Sequence, residues 1–189
     1  ISKTTVRGEF GQPQSRDLFR TVDFFFRLSY KHGQVYGGIQ APQSPIMSKV
    51  MRSVKNVTKG YSSTQVKVRE ATSNDPWGPT GTQMSEIAQL TFNTSTEFYD
   101  IMDMLDRRLN DRGKNWRHVL KALKVLDYCL HEGSELVVTW ARQNDYLVRT
   151  LREFQYIDEE GRDVGQNVRV AAKDLSSLLA DDARLRDER

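Results

Sequence analysis

From Ser62 onward, apolar residues recur at the three-to-four-residue spacing of amphipathic helices, and no convincing strand alternation interrupts them. "SSTQVKVREAT" opens with Ser62 and has Gln65 three residues later, the pattern of a capping box. "SNDPWGPTGT" then breaks the helical pattern, because Pro76 and Pro79 block helix continuation. "QMSEIAQLTF" carries Met84, Ile87 and Leu90 at helical spacing. "NTSTEFYDIMDMLDRRL" pairs Thr94 with Glu97 as a second capping box and aligns Phe98, Ile101, Met102 and Leu105. After Gly113, "KNWRHVLKALKVLDYCLHE" has a stripe of Trp116, Val119, Leu120, Leu123, Leu126 and Leu130. "SELVVTWARQNDYLVRTLREF" predicts two short helices broken near Asn144, "DEEGRD" a turn, and the remainder a last helix or pair of helices. The fold class expected is all-α, a compact bundle or right-handed stack of short helices.

Upstream the pattern changes. Gly8, Gly11, Pro13, Gly33, Gly37, Gly38, Pro42 and Pro45 punctuate residues 1–46 and leave only one apolar patch, "RDLFRTVDFFFRLSYKH". This segment is expected to be irregular or loosely docked. Then comes "MSKVMRSVKNVTKGYSS". Val50, Val54 and Val57 fall at i, i+4 and i+7, and Lys49, Arg52, Lys55, Asn56 and Lys59 fill the rest of the circumference. Such a segment is a marginal helix in water and is expected to fold when given a surface.

Charge sharpens this contrast. The net charge is only +3, yet there is no Asp or Glu from Phe24 to Arg69. A basic block in a balanced chain suits an anionic partner, phospholipid or nucleic acid; a plain solvated face is the other reading. On the helix after Gly113, Lys114, His118 and Lys121 share a face opposite Trp116 and Leu123, predicting a cationic strip near a helix N-terminus. Each valine buried in a leaflet contributes about 1.5 kcal/mol or more, and each basic residue beside anionic lipid roughly 1 kcal/mol. Together they predict reversible, lipid-dependent binding.

Other chemistry is not encoded. Phosphate-binding loops, zinc-protease and nucleophile-elbow motifs are missing, so no catalytic residue is assigned. His32, His118, His131 and Cys129 have no metal-ligand spacing; no metal and no cofactor are expected. "IDEEGRDVGQN" lacks the ligand pattern of a calcium loop and reads as an acidic turn. Cys129 lies beside Leu126 and Leu130 and is expected in the core. No apolar run is long enough for a transmembrane helix, and Glu9 and Asp17 interrupt any signal-peptide core.

"KVREATSNDPWGPTGTQMSEIAQLTFN", "RRLNDRGKNWRHVLKALKVLDYCLHEGSE" and "TLREFQYIDEEGRDVGQNVRVAAKDLSSLLADDARLRDER" closely resemble the epsin N-terminal homology (ENTH) domain, and "KGYSSTQVKVR" and "DMLDRRLND" its fungal members. The resemblance covers about Met47 to Arg189. It implies a right-handed superhelix of seven or eight short α-helices and no enzyme. It also implies a module that binds phosphatidylinositol 4,5-bisphosphate and promotes curvature at clathrin-coated pits. In the family an N-terminal segment folds on binding into an amphipathic helix, helix zero, which completes the headgroup pocket and wedges into the leaflet. Carried over by position, the headgroup ligands are Arg52, Lys55, Arg69, Asn74, Arg108, Lys114 and His118, and the wedge is Val50, Val54 and Val57. Arg117 is a secondary contact. Met51 stands where family members have a basic residue and Thr58 where they have an apolar one, both departures expected to weaken insertion somewhat.

The domain organisation expected is an irregular extension at 1–46, an amphipathic helix at 47–60 and an ENTH domain at 61–189. The extension is either a real addition that regulates insertion or an upstream stretch wrongly joined to the coding sequence, and the second is favoured. The partners implied are an anionic membrane containing phosphatidylinositol 4,5-bisphosphate, and clathrin and adaptor proteins through a tail outside this sequence. The expected location is cytoplasmic, peripheral on the plasma membrane and coated pits. Related domains of trans-Golgi adaptors recognise protein cargo such as SNAREs, which is the alternative. Nucleic acid is disfavoured because Trp77, Trp116 and Trp140 are not interleaved with the basic strip.

Overall fold

The structure is a computed structural model that describes residues 45–189, with side chains from Ser48 onward. The expectation for residues 1–44 lies outside the described residues. Among the described residues nine α-helices follow one another: α1 (Pro45–Thr58), α2 (Ser63–Ala71), α3 (Gly81–Leu90), α4 (Ser95–Leu109), α5 (Trp116–Glu132), α6 (Glu135–Gln143), α7 (Asp145–Thr150), α8 (Gly165–Ala180) and α9 (Asp182–Glu188). Short 3-10 turns at Gly113–Asn115 and Leu151–Glu153 link neighbours. Among the described residues the only β pairing is one isolated bridge, Ile157 with Asp163, closing the acidic turn. The fold is all-α, eight helices behind the amphipathic one, in a right-handed superhelix.

Local chemistry sets the helix boundaries. Ser62 caps α2 with a full capping box: its hydroxyl accepts from the Gln65 amide, and the Gln65 side chain accepts from the Ser62 amide. Thr80 and Gln83 do the same for α3, on the far side of the proline-rich loop. At α4 the Thr94 hydroxyl accepts from the Glu97 amide. There Glu97 bonds the Thr94 hydroxyl at 3.1 Å, so only half of the expected box forms. α1 ends at Gly60, whose φ of 64° is the left-handed conformation that suits glycine. The Gly60 amide donates to Val57 O and the Tyr61 amide to Asn56 O, the two bonds of a Schellman cap.

α5 is the hub, packing against α8, α3 and α4, while α2 lies on α4 and α3. Its face of Val119, Ala122, Leu123, Val125, Leu126, Cys129 and Leu130 is sealed from water. Cys129 is a core thiol, pushed up to about 12 by burial. Where α5 turns into α6, the Ser134 amide donates to Thr91 Oγ1 at 2.9 Å. A Cβ on Gly133 would stand 2.5 Å from the Cys129 carbonyl, so this corner accepts only glycine without a backbone shift. α1 differs from the rest: none of Ser48–Thr58 belongs to the buried core.

Candidate functional site

α1, α2, the loop after α2, the end of α4 and the start of α5 meet at one place, and each brings a polar side chain. From α1, Arg52 reaches the loop: Nη1 donates to Asp75 Oδ2 at 2.8 Å and Nη2 to Oδ1 at 3.2 Å. One turn on, Asn56 Oδ1 accepts from Arg69 Nε at 2.9 Å. The Tyr61 ring lies 4.2 Å from the same guanidinium, a cation–π contact that the Schellman turn sets up. The polar face of α1 is therefore fastened to α2 and the loop, and Val50 and Val57 on the opposite face look into water, 51% and 79% exposed. Val54 is half-buried and Lys55 exposed.

Arg108 lies deeper. Its Nε donates to Thr72 Oγ1 at 3.1 Å and its Nη2 to Arg69 O at 3.3 Å, and Nη1 stands 2.8 Å from His118 Nδ1. Burial, and then the neighbouring Arg69 charge, lower its pKa to about 10. A guanidinium held in that setting is short of negative charge.

Asp111 supplies part of it. Its Oδ2 is 2.7 Å from His118 Nδ1, and its Oδ1 accepts from Asn115 Nδ2 at 2.9 Å. Asn115 Oδ1 in turn accepts from Asn74 Nδ2 at 2.9 Å, tying the loop to the 3-10 turn. His118 Nδ1 thus faces both a donor and an acceptor; deprotonated it accepts from Arg108, protonated it donates to Asp111. Burial and then the Arg108 charge press its pKa below the ordinary imidazole value, with Asp111 opposing. Burial works against the Asp111 and Asp75 carboxylates, but the hydrogen bonds from His118 to Asp111 and from Arg52 to Asp75, with their smaller partners, outweigh it and hold both below the usual range.

Arg52, Arg69, Asn74, Arg108 and His118 are thus brought into one connected cluster. Lys114 is exposed on the 3-10 turn, next to the Asn115 that holds Asn74. Lys55 is three residues along α1 from Arg52, and no contact among the described residues ties it to the cluster. Lys121 departs from the outward strip read from periodicity. It is only 5% exposed, and its Nζ donates to the carbonyls of Ser73 and Asp75, each at 2.7 Å. Burial lowers its pKa to about 8. The side chain closes the loop from below. Arg117 stacks on Trp116, 4.4 Å from the ring.

Sequence reasoning missed Asn56, Tyr61, Asp111 and Asn115, which position the cations without themselves being cationic. The spacing of Asp111 and Asn115, four residues apart around the 3-10 turn, is the signal that was there to find. Among the described residues no cluster of His, Cys, Asp and Glu could hold a metal, and no helix is long and apolar enough to cross a membrane.

Fold and site together define an all-α superhelix with a basic cluster beside an amphipathic N-terminal helix. Residues 61–185 match the ENTH domain. The chain is 58% identical over 143 residues to Epsin-1 of Schizosaccharomyces pombe, covering 76% of this chain and 20% of that protein. It is 58% identical over 142 residues to human Epsin-3, covering 75% of this chain and 22% of that one. Among solved structures it resembles the ENTH domain from epsin-2 in complex with phosphatidylinositol 4,5-bisphosphate, with a TM-score of 0.69 and 55% identity over 73% of this chain and 96% of that one. It also resembles a chain in helical ANTH and ENTH tubules on PI(4,5)P2-containing membranes, with a TM-score of 0.67 and 54% identity over 75% and 92% of the two chains. The chain belongs to the ENTH domain family. It spans about a fifth of the length of the epsins it matches.

Proposed function

We propose that this chain is the membrane-binding adaptor domain of an epsin-like endocytic protein. It takes the headgroup of phosphatidylinositol 4,5-bisphosphate in the Arg52–Arg69–Asn74–Arg108–His118 cluster, with Lys55 and Lys114 closing on the phosphates from the rim. The observation that carries this reading is the charge imbalance of the cluster. The Arg69 charge bears on the buried Arg108, and among the described residues the Asp111 carboxylate is the one acid bonded to the His118 side of the site. Phosphate oxygens would supply the missing acceptors, and guanidinium groups bind them in paired, charge-assisted geometry. The ENTH domain from epsin-2 solved with that lipid supports the assignment.

In this reading Val50, Val54 and Val57 enter the leaflet, and the protein works without catalysis, peripheral on the cytoplasmic side of the plasma membrane and its coated pits. Clathrin and adaptor proteins would be recruited through sequence following the domain. The division at residues 46 and 60 into extension, wedge and ENTH domain belongs to the same proposal, although α1 begins two residues earlier, at Pro45.

Sedimentation with a panel of vesicles, with and without residues 1–46, tests the assignment. Phosphatidylinositol 4,5-bisphosphate vesicles should carry the protein down, and phosphatidylcholine vesicles should not. Val54→Glu should abolish vesicle deformation and leave soluble headgroup binding largely intact. Unchanged tubulation by that variant would refute insertion.

A further inference from the structure

The loop between α2 and α3 holds an indole in water. Trp77 is 53% exposed, although it is the largest apolar side chain that the loop has. Its Nε1–H makes no hydrogen bond among the described residues. The loop itself is stiff. Pro76 and Pro79 flank the indole and Gly78, Lys121 holds the carbonyls of Ser73 and Asp75, and Asp75 is bound by Arg52 and by the Ser73 hydroxyl at 2.9 Å. Trp77 is therefore presented at little conformational cost, with about half of its surface and its donor left unused by the domain.

Its neighbours say what it meets. Trp77 and Gly78 line an open cleft together with Lys49, Arg52 and Ser53 of α1, and the acids of that cleft are Glu70 and Asp75, the latter bound by Arg52. Lys49 and Ser53 lie on the flank of α1 between its fastened polar face and the outward Val50–Val57 stripe. The indole is thus laterally continuous with a helix that carries Lys49, Arg52, Lys55 and Lys59 and no acid. Tryptophan settles at the headgroup level of bilayers, ring against the acyl boundary and N–H toward lipid oxygens, which is the layer basic side chains also seek.

From this position, and building on the membrane reading above, we infer that Trp77 is a second membrane anchor. It enters the interface of an anionic leaflet beside α1 and fixes the tilt at which the domain sits on the surface. The narrow valine stripe restrains rotation about the α1 axis only loosely. A rigid indole to one side of that axis removes this freedom, so the headgroup cluster is held at one orientation to the membrane.

The test uses the 189-residue chain and phosphatidylcholine vesicles containing phosphatidylinositol 4,5-bisphosphate, with brominated acyl chains as short-range quenchers. On the wild type, vesicles should blue-shift and quench part of the tryptophan emission; in Trp77→Phe that part should vanish while Trp116 and Trp140 emission stays as it was. Trp77→Ala should bind the vesicles roughly tenfold more weakly, from the apolar area withdrawn, with its affinity for soluble inositol trisphosphate unchanged. A wild type that binds these vesicles with unquenched Trp77 overturns this inference alone, and assigns the exposed indole to a protein partner. An equal loss of soluble-headgroup affinity in Trp77→Ala overturns it too, since the loop would then be shaping the pocket. A wild type that binds no vesicle overturns it together with the function proposed above.

Discussion

α5 and α1 are both amphipathic, but the structure uses them differently. In α5 the apolar face of Val119, Leu123, Leu126 and Leu130 is sealed against α3, α4 and α8. In α1 Val50 and Val57 face water while Val54 is half-buried, and the hydrogen-bonded attachments are polar ones, Arg52 to Asp75 and Asn56 to Arg69. Area removed from water stabilises α5 within the domain, at about 25 cal/mol per Å². A part-exposed ion pair and a hydrogen bond contribute about 1 kcal/mol each. The helical body is built to stay folded, and α1 to be held lightly with its apolar side outward. The residues that fasten it, Arg52, Asn56 and Arg69, belong to or touch the basic cluster, so any ligand of that cluster also acts on α1.

This contrast sets the expected sizes of substitution effects. Leu126→Ala empties a fully buried site and should cost about 2–5 kcal/mol of global stability in urea unfolding. Asp75→Ala should barely move that global value. It should lower the protection of α1 amides by about 1 kcal/mol in native-state hydrogen exchange, since it removes one tether from a helix outside the core. A large global loss from Asp75→Ala would mean that α1 is part of the core after all.

The smallest effect concerns pH. His118 faces Arg108 and Asp111, and the charge of Lys121 also reaches it. In the free domain its pKa lies below the ordinary imidazole value, so it is largely neutral near neutral pH. A bound polyanion favours imidazolium and raises that pKa. Binding then takes up a proton, and affinity rises as pH falls through the bound-state pKa toward the free one. Vesicle affinity should be roughly three- to fivefold higher at pH 6 than at pH 8, and this rise toward acid pH should be reduced in His118→Ala, where Lys121 and the headgroup phosphates remain to titrate. A slope that survives the substitution unchanged would assign the proton to another group.

The helices were legible because their signals are local: the Ser62–Gln65 box, the prolines at 76 and 79, the break at Asn144 and the stripe of α5 lie within a turn or two of what they specify. Of the strip read from periodicity, His118 lies in the cluster, while Lys114 sits exposed on the 3-10 turn before α5 and shares no helix with it. Lys121 was not legible. Helical phase turned it outward, but the carbonyls that bury it come from Ser73 and Asp75, 48 and 46 residues away. No window on α5 contains them. Asn56 and Tyr61 escaped likewise, because their role is to position Arg69 across a helix boundary. Asn74 came from family resemblance, and its partner Asn115 explains why an amide suits that place.

The central claim is that one polyanionic headgroup grips the basic cluster and α1 together. Hydrogen–deuterium exchange on the full chain, with and without inositol trisphosphate, tests it most directly. Added protection is expected at residues 45–59, at the loop around Asn74 and from Arg108 to His118, with α6 to α9 unchanged. Protection confined to α6–α9, or none at α1 under saturating ligand, would contradict it.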